Sequence, residues 1–410
     1  MLSSQRFEHL RLANGLDLIA EVDPAAQSTA LGFMVKTGSR DETPDVSGVA
    51  HFLEHMLFKG TATRSAEDVN REFDDLGARN NAFTSNEITC YYANVLPEFT
   101  FRTLDLLADM MRPALRQEDF DVEKKVILEE IALYLDRPGQ LLFDVIMQEH
   151  FGTHPLSHLV LGTAESVGAL TREQMRGYFD RHYGPGNMTL AVAGNVDFAA
   201  LARRTDELCG AWPRVHVSRA YPVPQLQAHR RHIHDPNATR HYVAMLCPGP
   251  SAQDDARYAA QVLGDVMGDH EGSRLFWSLI EPGLADEIEL SYFPHDGTGS
   301  FLVYVSCDPE RARQVEQIVL AELARARAAG ITDAEIERSK NKIETATVLQ
   351  GELPLGRMRA LAGRWLYNGD YATLDEELAC LEAVDAAAVN DVLKAYPFGP
   401  LTIATLGPGE

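Results

Sequence analysis

Ser47-Gly48-Val49-Ala50-His51-Phe52-Leu53-Glu54-His55-Met56-Leu57-Phe58-Lys59-Gly60 reads as a short helix whose two faces do different work. At about 100° per residue, Val49, Phe52, Leu53, Met56 and Leu57 form one apolar stripe, while His51, Glu54 and His55 fall together on the other side. The histidines therefore lie off the packing face. Ser47 is placed to cap the helix and Gly60 to end it, which leaves about three turns of rigid scaffold. Two imidazoles one turn apart can bind the same ion, and a carboxylate one residue before the second sits beside them without having to ligate.

The pattern His-x-x-Glu-His is the signature of inverted zincins, and it needs a third ligand from elsewhere in the chain. A helical pattern from about 118 to 135 offers two adjacent glutamates. Glu130 shares a face with Glu123, Val126, Ile127, Leu133 and Tyr134, the half-buried side, whereas Glu129 lies with Val122, Lys125 and Asp136. The expected ligands are therefore His51, His55 and Glu130. Glu123, two turns earlier on the same face, is expected to orient a histidine or tune the site. The bland alternative is a solvated charge run on a capped helix.

A length of 410 residues exceeds the usual span of one hydrophobic core and predicts two domains. Hydrophobic content of 45% with 24% charged residues is ordinary for a soluble globular protein. The net charge of −23 argues against nucleic acid or an anionic membrane as partner and is compatible with basic peptides. Five scattered cysteines make neither a disulfide framework nor metal-type spacing. The start has no apolar leader and no later run approaches about 18 apolar residues, so no membrane insertion is expected. A cytoplasmic, reducing location follows.

Two strand-like runs between Phe7 and Val22 turn at Ala13-Asn14-Gly15. Further strands are expected at 28–36, 81–83, 89–95 and 187–193, and helices at 65–76, 97–112, 141–151 and 171–182. His150, His154 and His158 share no helical face across Pro155 and read as loop or core histidines. The stretch 211–231, rich in Pro, Arg and Gln, reads as a linker between domains at 1–215 and 232–410.

The second half repeats the first with a period of about 210 residues. Met188-Thr189-Leu190-Ala191-Val192-Ala193-Gly194 matches Leu401-Thr402-Ile403-Ala404-Thr405-Leu406-Gly407, and Leu96-Pro97-Glu98 matches Asp308-Pro309-Glu310. Two copies of one α+β unit are implied. The offset sets Gln261, Gly264 and Asp265 opposite His51, Glu54 and His55, and Ser339 and Ala346 opposite Glu123 and Glu130. Residues needed for packing would appear in both copies. These appear in the first alone, so their purpose is chemical.

Asn14-Gly15-Leu16, Gly38-Ser39-Arg40-Asp41-Glu42, the run from His51 to Thr61, Asn81-Ala82-Phe83-Thr84-Ser85-Asn86-Glu87 and Val126-Ile127-Leu128-Glu129-Glu130-Ile131 are family-like landmarks. Over nearly its whole length the chain resembles the pitrilysin-type (inverzincin) zinc metallopeptidases, in particular the branch that looks like the mitochondrial processing peptidase catalytic subunit and its bacterial relatives. The resemblance implies an α+β fold of two tandem homologous halves, each an antiparallel sheet covered by helices, forming a clamshell around a chamber. It also implies one Zn2+ per chain completed by Glu130, agreeing with the helical faces. Asn81, Ala82, Phe83 and Thr84 resemble the segment whose backbone pairs with substrate as an added strand. Glu87 then orients metal ligands or a substrate terminus, unless it is a surface glutamate in a turn.

The reaction so implied is hydrolysis of a peptide bond in unfolded peptides or presequence-like segments. Zinc keeps a fourth position for water, and Glu54 takes the water proton and passes it to the leaving amine. Related enzymes carry an Arg and a Tyr after a Ser-Arg-Leu-Phe segment. Here Ser273-Arg274-Leu275-Phe276 is followed by Ile280 and Asp286 at roughly those places. Either Arg274, Tyr292 or His295 acts instead, or a partner subunit supplies the donor. A homodimer is implied, with a heterodimer with a related chain as the fallback. The rival reading is a non-catalytic or partner-dependent subunit that binds peptides or scaffolds an assembly; relatives of that kind usually lose the metal residues.

Overall fold

The Asn14-Gly15 turn folds as the sequence requires, with Gly15 at φ +92°. Strand β1 (Arg6–Arg11) pairs antiparallel with β2 (Asp17–Val22) across it. Strands β3 (Thr29–Val35), β4 (Arg79–Thr84), β5 (Thr89–Val95) and β6 (Met188–Gly194) complete a six-stranded sheet of order β1-β2-β6-β3-β5-β4. Between and after them run α1 (Val49–Leu57), α2 (Ala66–Asp75), α3 (Thr100–Met110) and α4 (Gln117–Leu135). Helices α5 (Pro138–Phe151), α6 (Ala164–Ala169), α7 (Arg172–His182) and α8 (Phe198–Cys209) follow. No regular element lies between Cys209 and His229.

The second half repeats this order with β7 (His229–His234), β8 (His241–Gly249), α9 (Arg257–Gly268), β9 (Glu287–His295) and β10 (Thr298–Cys307). It continues through α10 (Ala312–Ala329), α11 (Asp333–Gly351), α12 (Pro354–Asn368), α13 (Leu374–Glu382), α14 (Ala386–Ala395) and β11 (Thr402–Gly407). Its sheet has the order β7-β11-β8-β10-β9, the first sheet's order without β1. The sheets are antiparallel except for one pair each: β2 with β6, and β7 with β11, are parallel. Long helical excursions separate these partners in sequence, and such crossovers let strands run the same way.

The computed structural model describes residues 5–409, in two units. The first runs to Leu133 and includes His158–Ala220 and Leu349–Ala372; the second takes Tyr134–Ser157, Tyr221–Val348 and the chain from Thr373. Helix α5 thus belongs to the second unit and α12 to the first. In the first unit Leu18, Leu31, Phe33, Tyr91 and Val192 face α1, α3 and α7, while Ile19, Met34 and Ala191 face Met358 and Leu361 of α12. Covered on both faces, β3 and β6 are buried at every position. A buried ion pair, Arg357 with Glu21 at 2.6 and 2.8 Å, fixes α12 on the sheet. All five cysteines are free. Among the described residues no helix is long and apolar enough to cross a membrane.

Candidate metal centre

Helix α1 is shorter than its sequence suggests and is capped differently. It begins after Gly48, at φ +89°, so Ser47 lies one residue outside the N-cap. The buried carboxylate of Glu42 takes the capping role, accepting the N–H of Gly48 at 2.7 Å and of Ala50 at 2.8 Å. Two otherwise orphaned donors at the start of the helix are thereby satisfied. Burial pushes Glu42 up to about 8 against the pull of these two donors. Gly48 is required twice over, by its φ and by the Leu161 carbonyl 2.7 Å from where a Cβ would stand. Val49, Phe52, Leu53, Met56 and Leu57 are buried, which turns His51, Glu54 and His55 away from the core.

Helix α4 approaches that polar face along a narrow stripe of Phe120, Glu123, Ile127 and Ile131. Val126 and Leu133, expected on the buried side, are exposed. Glu130 borders the stripe and reaches the histidines: its Oε1 lies 3.7 Å from His51 Nε2 and its Oε2 3.6 Å from His55 Nε2. Those separations are too long for hydrogen bonds. They suit ligands around one ion, because two atoms each about 2.0–2.1 Å from a tetrahedral zinc are about 3.4 Å apart. One donor atom from each residue lies within 4.8 Å of the other two, the sole such cluster among the described residues.

The protonation states fit a cation as well. Burial, and then the neighbouring His55, push His51 down to about 4, so it is neutral and can ligate. His55 donates Nδ1–H to Glu123 Oε1 at 2.9 Å, which turns Nε2 toward Glu130. Burial would lower His55, but the Glu123 hydrogen bond and the charges of Glu130, Glu123 and Glu54 outweigh it and raise its pKa. Lys59 Nζ holds the other Glu123 oxygen at 2.7 Å. Burial works against ionisation of Glu123, yet His55 and Lys59 keep it below its usual range. Glu54 stands beside the cluster with Oε2 accepting the Thr84 hydroxyl at 2.6 Å. Burial raises its pKa, resisted by Thr84 and His55 and assisted by Glu130. His51 Nδ1 is buried without a partner, so packing alone orients that ring.

A pH dependence of the metal-free protein follows. The unfolded chain binds a proton at His51 near 6.5 and the folded chain only near 4, so protonation favours unfolding between those values. Stability is full above the upper value and falls as pH drops through the window, by roughly 3 kcal/mol from this group. Chemical denaturation of chelator-treated protein at pH 7 and at pH 4.5 should show the loss, and His51→Gln should flatten that part of it.

The family model for insulinase (peptidase family M16) matches residues 18–164, and that for the peptidase M16 inactive domain matches residues 169–343. A protein of Streptomyces coelicolor named an uncharacterized zinc protease is 34% identical over 97% of this chain and 88% of its own. One of Mycobacterium tuberculosis with the same description is 35% identical over 97% and 92%. The chain belongs to the M16 peptidase family. Its fold is shared with a crystal structure of a Helicobacter pylori protease, at 21% identity and TM-score 0.90 over 98% of this chain and 99% of that one. It is shared also with a chain of complex III2 from Candida albicans, at 18% identity and TM-score 0.86 over 98% and 96%.

In this M16 chain the remaining predicted residues fall in different places. β4 is the terminal strand of its sheet, with Asn81 and Phe83 exposed and Ala82 buried. Thr84 turns its side chain inward to Glu54. Glu87 is not a surface residue: it is buried, paired with Arg40 and hydrogen-bonded by the Tyr367 hydroxyl at 2.9 Å. In the second unit α9 lies close on β9, since a Cβ on Gly268 would stand 2.2 Å from Leu290 N. Ser339 donates to the Val262 carbonyl at 3.3 Å. Arg274 is held by Glu335 at 2.6 and 2.9 Å, and the Tyr292 hydroxyl donates to the Pro250 carbonyl at 2.8 Å.

Sequence reasoning missed Glu42, Lys59 and the side-chain role of Thr84. Lys59 was readable in part, because it stands four residues after His55 on the same helical side. Substituting Glu123 by Gln should leave the fold intact and weaken zinc binding about 10- to 100-fold, as loss of a carboxylate that orients a ligating histidine does elsewhere. Competition against a chromophoric chelator measures it.

Proposed function

We propose that the chain is a zinc-dependent endopeptidase acting on unfolded peptides. The observation that carries this reading is the combination of a three-donor cluster, His51, His55 and Glu130, with a fourth carboxylate, Glu54, that is held beside it by Thr84. A structural zinc site uses all four ligands from the protein, whereas three leave a position for chemistry. His51, His55 and Glu130 would hold the zinc, which when bound would supply a water made nucleophilic near neutral pH and a Lewis acid for the peptide carbonyl. Glu54, with burial raising its pKa, accepts the proton of the attacking water and returns it to the leaving nitrogen. Glu123 and Lys59 fix the His55 ring, and the terminal strand β4 offers main-chain groups to an extended peptide. The names of the zinc-protease relatives support the same assignment.

A second reading is favoured by one feature. Ile280 and Asp286 stand roughly where the family resemblance expects an Arg and a Tyr, so a partner chain could be needed to complete the site. Zinc analysis of the full chain together with cleavage of varied quenched peptides separates the two. About one zinc per chain with chelator-sensitive cleavage is expected. Stoichiometric zinc without cleavage of any peptide would assign the chain to a partner-dependent or scaffolding role.

A further inference from the structure

In the first unit α8 lies on α3 and β2 and buries Leu201 and Cys209 in the core. In the second unit the elements that match α3 and β2, namely α10 and β7, border a cavity of about 560 Å³. The ladders make the comparison exact to the residue. Thr189 pairs with Asp17 as Thr402 pairs with His229, so Leu18, Ala20 and Val192 correspond to Arg230, His232 and Thr405. The matching turns at Pro97 and Pro309 set Phe101 and Leu104 against Arg313 and Glu316. A face that is apolar and sealed in one copy is charged and open in the other.

Exposure alone would favour polar residues here, but not the ones that are buried. His241 lines the cavity, is 3% exposed and has no hydrogen-bond partner among the described residues. His232 shares a hydrogen bond with Thr405 Oγ1 through Nδ1 at 2.8 Å, while its Nε2 is buried and unpartnered. The two rings lie nearly parallel, at 12°, with centroids 6.1 Å apart. Arg230 and Glu316 neutralise each other in a two-pronged pair at 2.7 and 2.8 Å. Arg313 borders the same cavity with no ion-pair partner among the described residues. A buried polar atom without a partner, as at His232 Nε2, is costly, and the guanidinium of Arg313 on the same cavity attracts an anion even in a chain of net charge −23.

We propose that this cavity binds a small molecule through an oxyanion group, a phosphate or a carboxylate, with Arg313 supplying the charge and His232 and His241 the N–H donors. The site shares no residue with the metal-ligand cluster, and its test does not depend on peptide cleavage. Full-length protein is titrated with sodium phosphate and, in a parallel series, with sodium acetate, ionic strength being held constant with sodium chloride. The imidazole nitrogen NMR signals of His232 and His241 are followed, assigned through His232→Gln. Saturable shifts of both signals are expected, and Arg313→Ala should weaken the apparent affinity about tenfold or more with zinc content unchanged. Saturation by phosphate alone identifies a phosphoryl ligand, and by acetate alone a carboxylate. Shifts that fail to saturate with either anion, or an Arg313→Ala protein that titrates like the wild type, would overturn the site.

Discussion

Glu54→Gln should keep its zinc and lose turnover by about 10²- to 10⁴-fold, the range that a positioned general base contributes. The amide has the same shape and can still accept the Thr84 hydroxyl that now bonds Oε2 at 2.6 Å. It cannot take a proton. Because burial already disfavours the charged carboxylate, replacing it with a neutral group should not unfold the protein. The three donors that converge within 4.8 Å are untouched, so metal content should match the wild type. The loss should appear in kcat, with KM little changed, since the proposed pairing of a peptide main chain with β4 would not use this carboxylate. Equal cleavage of quenched peptides by both proteins would remove Glu54 from the role of base.

Loss of a ligand should be more damaging to the metal than loss of any residue around it. In Glu130→Gln the two imidazoles keep their places, but the donor set loses its negative charge. Zinc affinity should fall by more than the about 100-fold upper range for an orienting carboxylate, and cleavage should fall with it. Glu129→Gln is the internal control, because that neighbour is exposed and no metal-type cluster includes it. It should bind zinc and turn over as the wild type does. Zinc competition on both variants decides the matter: a Glu130→Gln protein with unaltered zinc affinity would disprove the ligand assignment, and a Glu129→Gln protein that lost zinc would transfer it to the adjacent residue.

Much of this was legible in the chain because the controlling signals are local and periodic. The α1 stripe and its opposed His51, Glu54 and His55 follow from 3.6-residue periodicity, and the Asn14-Gly15 turn from the need for a positive φ. The repeat carried the second sheet with it, since matched strands pair in matched registers. What escaped depends on segments distant in sequence. Glu42 caps α1 from the preceding loop, where no local rule looks for a cap. The buried side of α4 was misjudged at Val126 and Leu133, because composition does not reveal how narrow a stripe a neighbouring helix will cover. Glu130 was nevertheless separable from Glu129, as one residue turns a side chain through about 100°. The parallel strand pairs were invisible for a similar reason: hydrophobic pattern reports burial, not strand direction.

Zinc K-edge X-ray absorption of the zinc-loaded full-length protein measures the proposed centre directly. Two imidazole nitrogens and additional oxygen at about 2.0–2.1 Å are expected, with the oxygen contribution reduced or the zinc lost in Glu130→Gln. A sulfur shell at about 2.3 Å, or zinc surrounded by four protein ligands with no exchangeable oxygen, would contradict a catalytic His51, His55 and Glu130 site.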